Sequence, residues 1–299
     1  MNDIPQFPEG REITLADKPM FDGIFRSWQP EISAYTFTNI YAWRRPYKTR
    51  ISMFEDLLLV CHHADGKRSL LEPLGDGDKA KAVQQCLRIS SGTPTVFKGI
   101  SARLARELES NGALYVEYDR DNADYLYKSD DLINLAGRKY DAKRNFISRF
   151  KQKYAYEYVE LTADNVDACH NFAQQWCEER DCDSSEGLSR ERCAVYEMLS
   201  HIGPLGIRGG AIHIDGRTVA FSLGEAMNDE TMVIHVEKGD TSLDGVYQLI
   251  NNEFCIHEAQ DFEYVNREQD LGIHGLRKAK KSYQPVKMVE NFKVSAPQH

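Results

Sequence analysis

The chain has 299 residues, 41 % hydrophobic and 28 % charged, and its 37 basic against 46 acidic side chains give a formal net charge of −9. This is the composition of a folded protein with room for two cores. The acidic balance excludes a general electrostatic attraction to nucleic acid or anionic lipid, so any polyanion site must be local. No apolar run approaches the length of a membrane span, 57–61 being among the longest, and the start MNDIPQFPEG lacks the basic and apolar regions of a signal peptide. Seven cysteines, an odd number without paired short spacing, predict reduced thiols in a cytoplasm rather than a disulfide framework.

Taken in order, 16–28 and 33–43 read as helices, the first with Met20, Ile24 and Phe25 on one side. Strands are expected over 49–54 and 57–63 around the acidic turn Glu55-Asp56, and Asp65-Gly66 turns the chain into a third strand over 69–74. A helix over 79–89, a strand over 95–98, a helix over 101–109 opened by Ser101 and a strand over 113–118 follow. The stretch 138–153 carries seven basic side chains against Asp141 alone. It reads as a helix that buries Tyr140, the Lys143 stem, Ile147, Phe150 and Tyr154 and projects its charges sideways.

The second half repeats this succession of elements without any residue-level repeat. A strand over 156–161 precedes a helix capped by Thr162 or Asp164, whose stripe is Val166, Cys169, Ala173, Trp176 and Cys177. A helix over 189–202 comes next, then strands 210–214 and 218–226 around the hairpin turn Asp215-Gly216, strand 231–237 and helix 243–258. The last stretch reads as strand 262–265, polar loop 266–272, a helix from Ile273 and, after Pro285, a strand over 286–294. Ile273, Leu276, Ala279 and Tyr283 share one face of that helix, His274, Arg277, Lys278 and Lys281 share another, and Asp270 is placed to cap it.

The second-half order is that of the GNAT acyltransferase fold, and two such halves resemble the Fem-type aminoacyltransferases and the C-terminal domain of phosphatidylglycerol lysyltransferases. Three groups of residues carry the likeness to the latter family. They are Ser33-Ala34-Tyr35-Thr36-Phe37-Thr38-Asn39 with Trp43, Leu135-Ala136-Gly137-Arg138-Lys139-Tyr140 with Lys143-Arg144-Asn145, and Val265-Asn266-Arg267-Glu268-Gln269-Asp270 with Gly275-Leu276-Arg277-Lys278-Ala279-Lys280. The resemblance spans nearly the whole chain. It implies an α/β (α+β) fold of two tandem GNAT-like (acyl-CoA N-acyltransferase) lobes, 1–150 and 151–299, with mixed, mostly antiparallel sheets flanked by helices. It also implies an acyltransferase that passes an aminoacyl group from aminoacyl-tRNA to an amine or hydroxyl, on a soluble acceptor or on a membrane lipid met peripherally. A coenzyme A-dependent N-acetyltransferase and a non-catalytic module of the same fold are the alternatives. The phosphate cradle of such a lobe would fall on 236–245, where a glycine-spaced turn is missing and Asp240 and Asp244 would repel phosphate. Acetyl-coenzyme A therefore ranks below an aminoacyl ester, and no cofactor besides the donor is expected.

Acyl transfer needs a base, donors for the oxyanion and an acid for the leaving group. Glu237 or Asp270 is the candidate base and Tyr283 the candidate acid. Arg138, Lys139, Lys143, Arg144 and Asn145, with Asn266, Arg267, Arg277 and Lys280, are candidates for holding the donor's phosphates and the acceptor. Structural roles compete with each: a helix cap for Asp270, the end of an apolar stripe for Tyr283, a surface ion pair with Glu268 for Arg267, solvated faces for the basic runs. Metal binding is not expected. Cys61-His62-His63 lies on a strand that points neighbours to opposite faces, and Cys177, Cys182 and His170 lack a fourth ligand. No Gly-x-Ser-x-Gly elbow is present, and His235 reads as a hydrogen-bonded core histidine.

Overall fold

The computed structural model describes residues 3–64, 66–90, 92–110, 112 and 114–297. The expected turn residue Asp65 and the expected strand start Ala113 lie outside the described residues. The chain forms two compact units, Met1–Asp124 with Gln269–Gly272 and Val289–His299, and Tyr125–Glu268 with Ile273–Met288.

The first unit is built on a seven-stranded sheet in the spatial order Arg11–Glu12, Arg50–Phe54, Leu57–Ala64, Lys67–Leu70, Thr95–Ile100, Phe292–Ser295 and Tyr115–Tyr118. Lys67–Leu70 and Thr95–Ile100 run parallel, joined by the crossover helix Lys79–Ile89. That helix starts where expected, because the Asp78 carboxylate accepts from the Lys81 N–H at 2.8 Å. Its Val83 and Cys86 pack with Leu104 and Leu108 of Ala102–Ser110 and with Leu59, Leu70, Phe97 and Val294 of the sheet. The helix expected over 33–43 is shorter, Phe37–Ala42. Ser33 is held outside it by Asp124, which accepts from the Ser33 N–H at 2.6 Å and from its hydroxyl at 3.0 Å, and Thr36 caps the helix through the Asn39 N–H.

The second unit has a seven-stranded sheet in the order Lys287–Val289, Asp124–Lys128, Tyr264–Asn266, Thr231–Gly239, Arg217–Ala226, Arg208–Ile214 and Tyr156–Glu160. The turn Asp215-Gly216 has both residues at positive φ, 50° and 76°, as a two-residue hairpin requires. Helix Val246–Glu258 packs on the sheet together with Ser129–Asn134 and Asp141–Lys153, while Asp167–Glu179 contacts strands Arg217–Ala226 and Thr231–Gly239. Because neighbouring strand residues point to opposite faces, Glu237 turns toward Asn251 of the first helix group and Lys238 toward Trp176 of the other.

Several elements differ from the sequence reading. The strand expected over 286–294 is two strands, Lys287–Val289 and Phe292–Ser295, each in a different sheet. The bend between them is fixed by Asn291, whose amide accepts from Gly99 N and donates to the Asn122 carbonyl, both at 3.1 Å. Strand Asp124–Lys128 was not expected. Tyr125, Leu126 and Tyr127 are all buried, so the alternation that marks a one-faced strand is absent. The stretch 125–150, placed in the first lobe from sequence, folds in the second unit, where Tyr125, Tyr127, Leu132, Tyr140 and Ile147 share a core with Leu249 and Phe254. Helix Asp167–Glu179 begins after Val166 without a side-chain cap, since Thr162 and Asp164 close their own turn instead. Not all cysteines are reduced thiols: Cys177 and Cys182 form a disulfide, brought to a Cα separation of 5.2 Å by the turn at Asp181.

Gly224 marks the register shift between Arg217–Ala226 and Thr231–Gly239, and a Cβ there would lie 2.3 Å from the Val233 carbonyl oxygen. Gly224→Ala is expected to lower stability by about 1–3 kcal/mol in urea unfolding, because the clashing atom is sheet backbone. Gly23→Ala, where nothing lies within 4 Å of the added carbon, should be neutral or mildly stabilising. Equal midpoints for Gly224→Ala and wild type would refute the close approach.

Candidate active site in the second unit

The parallel ladder between Thr231–Gly239 and Tyr264–Asn266 covers 231–233 and takes up the whole of the shorter strand, which ends at Asn266. Just past that end, Arg267 meets Glu237 of the longer strand. Arg267 Nη2 and Nε lie 2.6 and 3.2 Å from Glu237 Oε2, and Asn251 Nδ2 donates to Oε1 at 2.9 Å. The two charged side chains are only 12 % and 15 % exposed. Burial works against the guanidinium charge, but Glu237, with Tyr127 and Tyr283, outweighs it and raises the pKa further. The guanidinium carbon sits 4.6 Å from the Tyr283 ring centroid and 5.7 Å from that of Tyr127. Among the described residues its buried Nη1 has no hydrogen-bond partner, and neither has Asn251 Oδ1.

Tyr283 follows helix His274–Lys281, held by Tyr140 Oη on its carbonyl at 3.0 Å and packed edge-on to Tyr127. Burial pushes its phenol well up, so it is a proton donor throughout the ordinary pH range. Lys143 Nζ lies 4.0 Å from the Tyr283 ring centroid and donates to Ser282 Oγ at 2.6 Å. Burial, and then repulsion from Arg267, lowers its pKa to about 8. Lys280 is buried and donates to the Arg267 carbonyl, while Tyr127 Oη donates to the Lys280 carbonyl at 2.8 Å. The structure thus brings together Lys143, Glu237, Arg267, Lys280 and Tyr283 of the residues expected from sequence.

The others stand elsewhere. Asp270 belongs to the first unit, fully buried, with Arg120 Nη1 at 3.1 Å and the Gly272 N–H at 2.9 Å from its oxygens. It does not cap helix His274–Lys281, whose first turn follows Ile273 without a side-chain cap. Asn266 is buried and accepts from the Glu268 N–H at 2.7 Å, turning the chain out of its strand. Arg144 brackets the preceding turn through the Leu135 and Gly137 carbonyls and Asp141. Lys139 pairs with Asp131 at 3.0 Å, Arg138 and Asn145 are exposed, and Arg277 is half-buried. Of the apolar stripe read on the last helix, only Tyr283 is buried. Ile273 is 55 % exposed and Leu276 36 %, because Lys280 and Tyr283 turn inward to the Arg267 backbone and ring cluster.

Sequence reasoning missed Asn251, Ser282 and Tyr127, whose contacts join distant segments and leave no local signal. It placed His235 in the core without finding its partners. The ring is fully buried, with Nε2 2.9 Å from Glu225 Oε1 and Nδ1 2.8 Å from Glu268 Oε1. Two carboxylates on two ring nitrogens require both to donate, so the ring is an imidazolium. Burial opposes that charge, and the carboxylates overcome it, raising the pKa to about 9. Since the folded value lies above the unfolded one, the stabilisation is complete below pH about 6.5 and is lost as pH rises through about 9. The urea midpoint should therefore fall between pH 6.5 and pH 9.5 in wild type. His235→Gln should lose that dependence, and a midpoint falling equally in both would contradict the buried imidazolium.

Two mostly antiparallel seven-stranded sheets flanked by helices make a tandem GNAT-like fold. The chain matches, over residues 25–294, the family of phosphatidylglycerol lysyltransferase C-terminal domains, and it belongs to that family. It is 35 % identical to a conserved protein of unknown function from Bacteroides thetaiotaomicron, with 96 % of this chain and 99 % of that one covered at a TM-score of 0.89. The L-PGS structure from Bacillus licheniformis covers 97 % of this chain and 94 % of its own at 13 % identity and TM-score 0.67. A tandem GNAT protein from the clavulanic acid biosynthesis pathway covers 97 % and 99 % at 10 % identity and TM-score 0.51. These last two share the fold. An uncharacterized protein of Mycoplasmoides gallisepticum is 20 % identical over 176 residues, 58 % of this chain, and the match spans 56 % of that relative's length. No helix among the described residues is long and apolar enough to cross a membrane.

Proposed function

We propose that the second unit transfers an aminoacyl group from aminoacyl-tRNA to an amine or hydroxyl acceptor. The observation that carries this reading is the buried Arg267, whose Nη1 has no hydrogen-bond partner among the described residues, resting on the ring of a protonated tyrosine against which a lysine of lowered pKa also lies. A buried donor without a partner costs about 1–3 kcal/mol, and a carbonyl oxygen that becomes an oxyanion would satisfy it. In this reading the acceptor nitrogen or oxygen attacks the ester carbonyl carbon and its proton passes to the neutral Lys143 amine. Arg267 Nη1 stabilises the oxyanion. The bond to the ribose oxygen then breaks, and Tyr283 Oη gives that oxygen its proton. Glu237, engaged through both oxygens with Arg267 and Asn251, is read as the residue that positions the guanidinium. Asp270, paired with Arg120, is read as holding the loop of the first unit.

The family description supports an aminoacyl donor. The turn before helix Val246–Glu258 speaks against coenzyme A, because Asp240 holds the Ser242 N–H and Asp244 lies 3.4 Å from Arg149 where a pyrophosphate would need donors. The test is a single-turnover assay with a pool of aminoacylated transfer RNAs, phosphatidylglycerol vesicles and soluble amines as acceptors, and acetyl-coenzyme A as rival donor. Transfer from the aminoacyl ester supports the reading. Acetyl transfer alone, or no transfer by the folded protein, overturns it.

A further inference from the structure

The second unit contains a cavity of about 470 Å3 whose lining includes Trp176, Cys177, Cys182, Leu188, Val195 and Lys238. The disulfide between Cys177 and Cys182 is thus part of its wall. The two cysteines are only five residues apart, and the shorter the loop a disulfide closes, the less it restricts the unfolded chain. Stapling the whole fold is therefore its weakest use. What the bond holds is local. Between the two cysteines helix Asp167–Glu179 ends and Asp181 adopts a left-handed backbone, φ 48° and ψ 54°, which is unfavourable for a residue with a Cβ. The turn is also tied to helix Glu186–Ser200 by the pair Arg192–Asp183, but both of those side chains are exposed and such a pair adds little.

Trp176, beside Cys177, carries two cations on its ring. Arg180 comes from the turn, its guanidinium carbon 4.0 Å from the ring centroid, and Lys238 from strand Thr231–Gly239, with Nζ at 3.6 Å. Arg180 also reaches Thr241, donating through Nη2 to Oγ1 at 3.1 Å. Lys238 is buried, with Glu191 of helix Glu186–Ser200 as its counter-ion at 2.7 Å. The disulfide turn therefore grips the strand end at 238–241, next to Glu237. We propose that Cys177–Cys182 is a thiol–disulfide exchange site and that its bond is a latch on this strand end. In the exchange, a thiolate of a small dithiol entering by the cavity attacks one sulfur and expels the other as a thiolate. The dithiol's second thiolate then breaks the mixed disulfide, leaving a cyclic disulfide and two cysteine thiols that have gained two electrons and the two protons the dithiol gave up. Cys61, Cys86, Cys169 and Cys255 do not compete, because burial raises their thiols and keeps them unreactive. Control of transfer by the latch rests on the reading above, in which Glu237 positions Arg267; the latch itself does not.

The test is reduction of the folded full chain by excess dithiothreitol, with the exposed Cys193 replaced in Cys193→Ser, followed by thiol titration, amide hydrogen exchange and single-turnover transfer. Two thiols should appear without denaturant. Exchange protection at 178–184 and at 238–242 should fall about tenfold or more, while that of strand Arg50–Phe54 in the other unit stays as it was. The transfer rate should fall with it, and reoxidation by oxidised glutathione should restore both. Cys177→Ser/Cys182→Ser should show the reduced pattern under all conditions. If that variant fails to fold, Arg180→Gln, which keeps the disulfide but releases Trp176 and Thr241, should loosen 238–242 on its own. A disulfide that resists dithiothreitol in the folded chain, or protection at 238–242 that is the same in both redox states, would overturn the proposal. Loosening at 238–242 with no transfer in either state would support the latch and count against the transfer reading only.

Discussion

Arg267→Met is expected to lower the stability of the protein by about 3–5 kcal/mol and to abolish transfer. The reason is the state of Glu237 after the change. Its carboxylate is 15 % exposed and draws on Arg267 for two contacts through Oε2, with Asn251 on Oε1 as its remaining donor. Removing the guanidinium leaves a buried charge with one neutral hydrogen bond, and that penalty exceeds any gain from methionine packing against Tyr127 and Tyr283. The double variant Arg267→Met/Glu237→Gln removes both charges and should recover most of the lost stability while staying inactive. Urea unfolding of the four chains in this cycle measures the coupling directly. Additive losses would show that the ion pair contributes nothing of its own.

Tyr283→Phe is expected to lower the transfer rate about 100-fold or more, the usual scale for loss of a positioned general acid, with little change in folding. The ring keeps its edge contact with Tyr127, its place beneath Lys143 Nζ and its backbone bond from Tyr140, so the variant removes one hydroxyl and leaves the packing. The split matters more than the size. Transfer from an ester with a better leaving group should be restored toward the wild-type rate, since such a group departs without a proton. An equal loss for both esters would make Tyr283 a packing residue.

How far the sequence reveals this arrangement follows from where each signal resides. Local devices are legible: the Asp78 cap, the Asp215-Gly216 turn and the buried stripe Tyr140, Ile147 and Phe150 all appear as read. Arg267 lies in a stretch that carries the family resemblance, Glu237 and Tyr283 are singled out by the needs of acyl transfer, and the three stand in one cluster. Features that depend on distant partners are not legible. Lys280 reads from sequence as a cation available to substrate, yet it is buried because the Arg267 carbonyl receives it. The strand at Asp124–Lys128 hides because both its faces are covered, and the break at Asn291 hides because its cause is the backbone at Gly99 and Asn122. Asp270 reads as a cap from its position before a helix, whereas Arg120 and the turn at Gly272 claim both its oxygens.

If Lys143 takes the acceptor proton beside Arg267 and Tyr283, the rate of single-turnover aminoacyl transfer follows the protonation of that lysine. Lys143 is lowered to about 8, so its neutral, proton-accepting form grows as pH rises through that value. The rate of wild type should climb through pH about 8 and then level, and Lys143→Met should be slow and lack that rise while unfolding at the wild-type urea midpoint. Identical pH profiles for wild type and Lys143→Met would exclude Lys143 as the base.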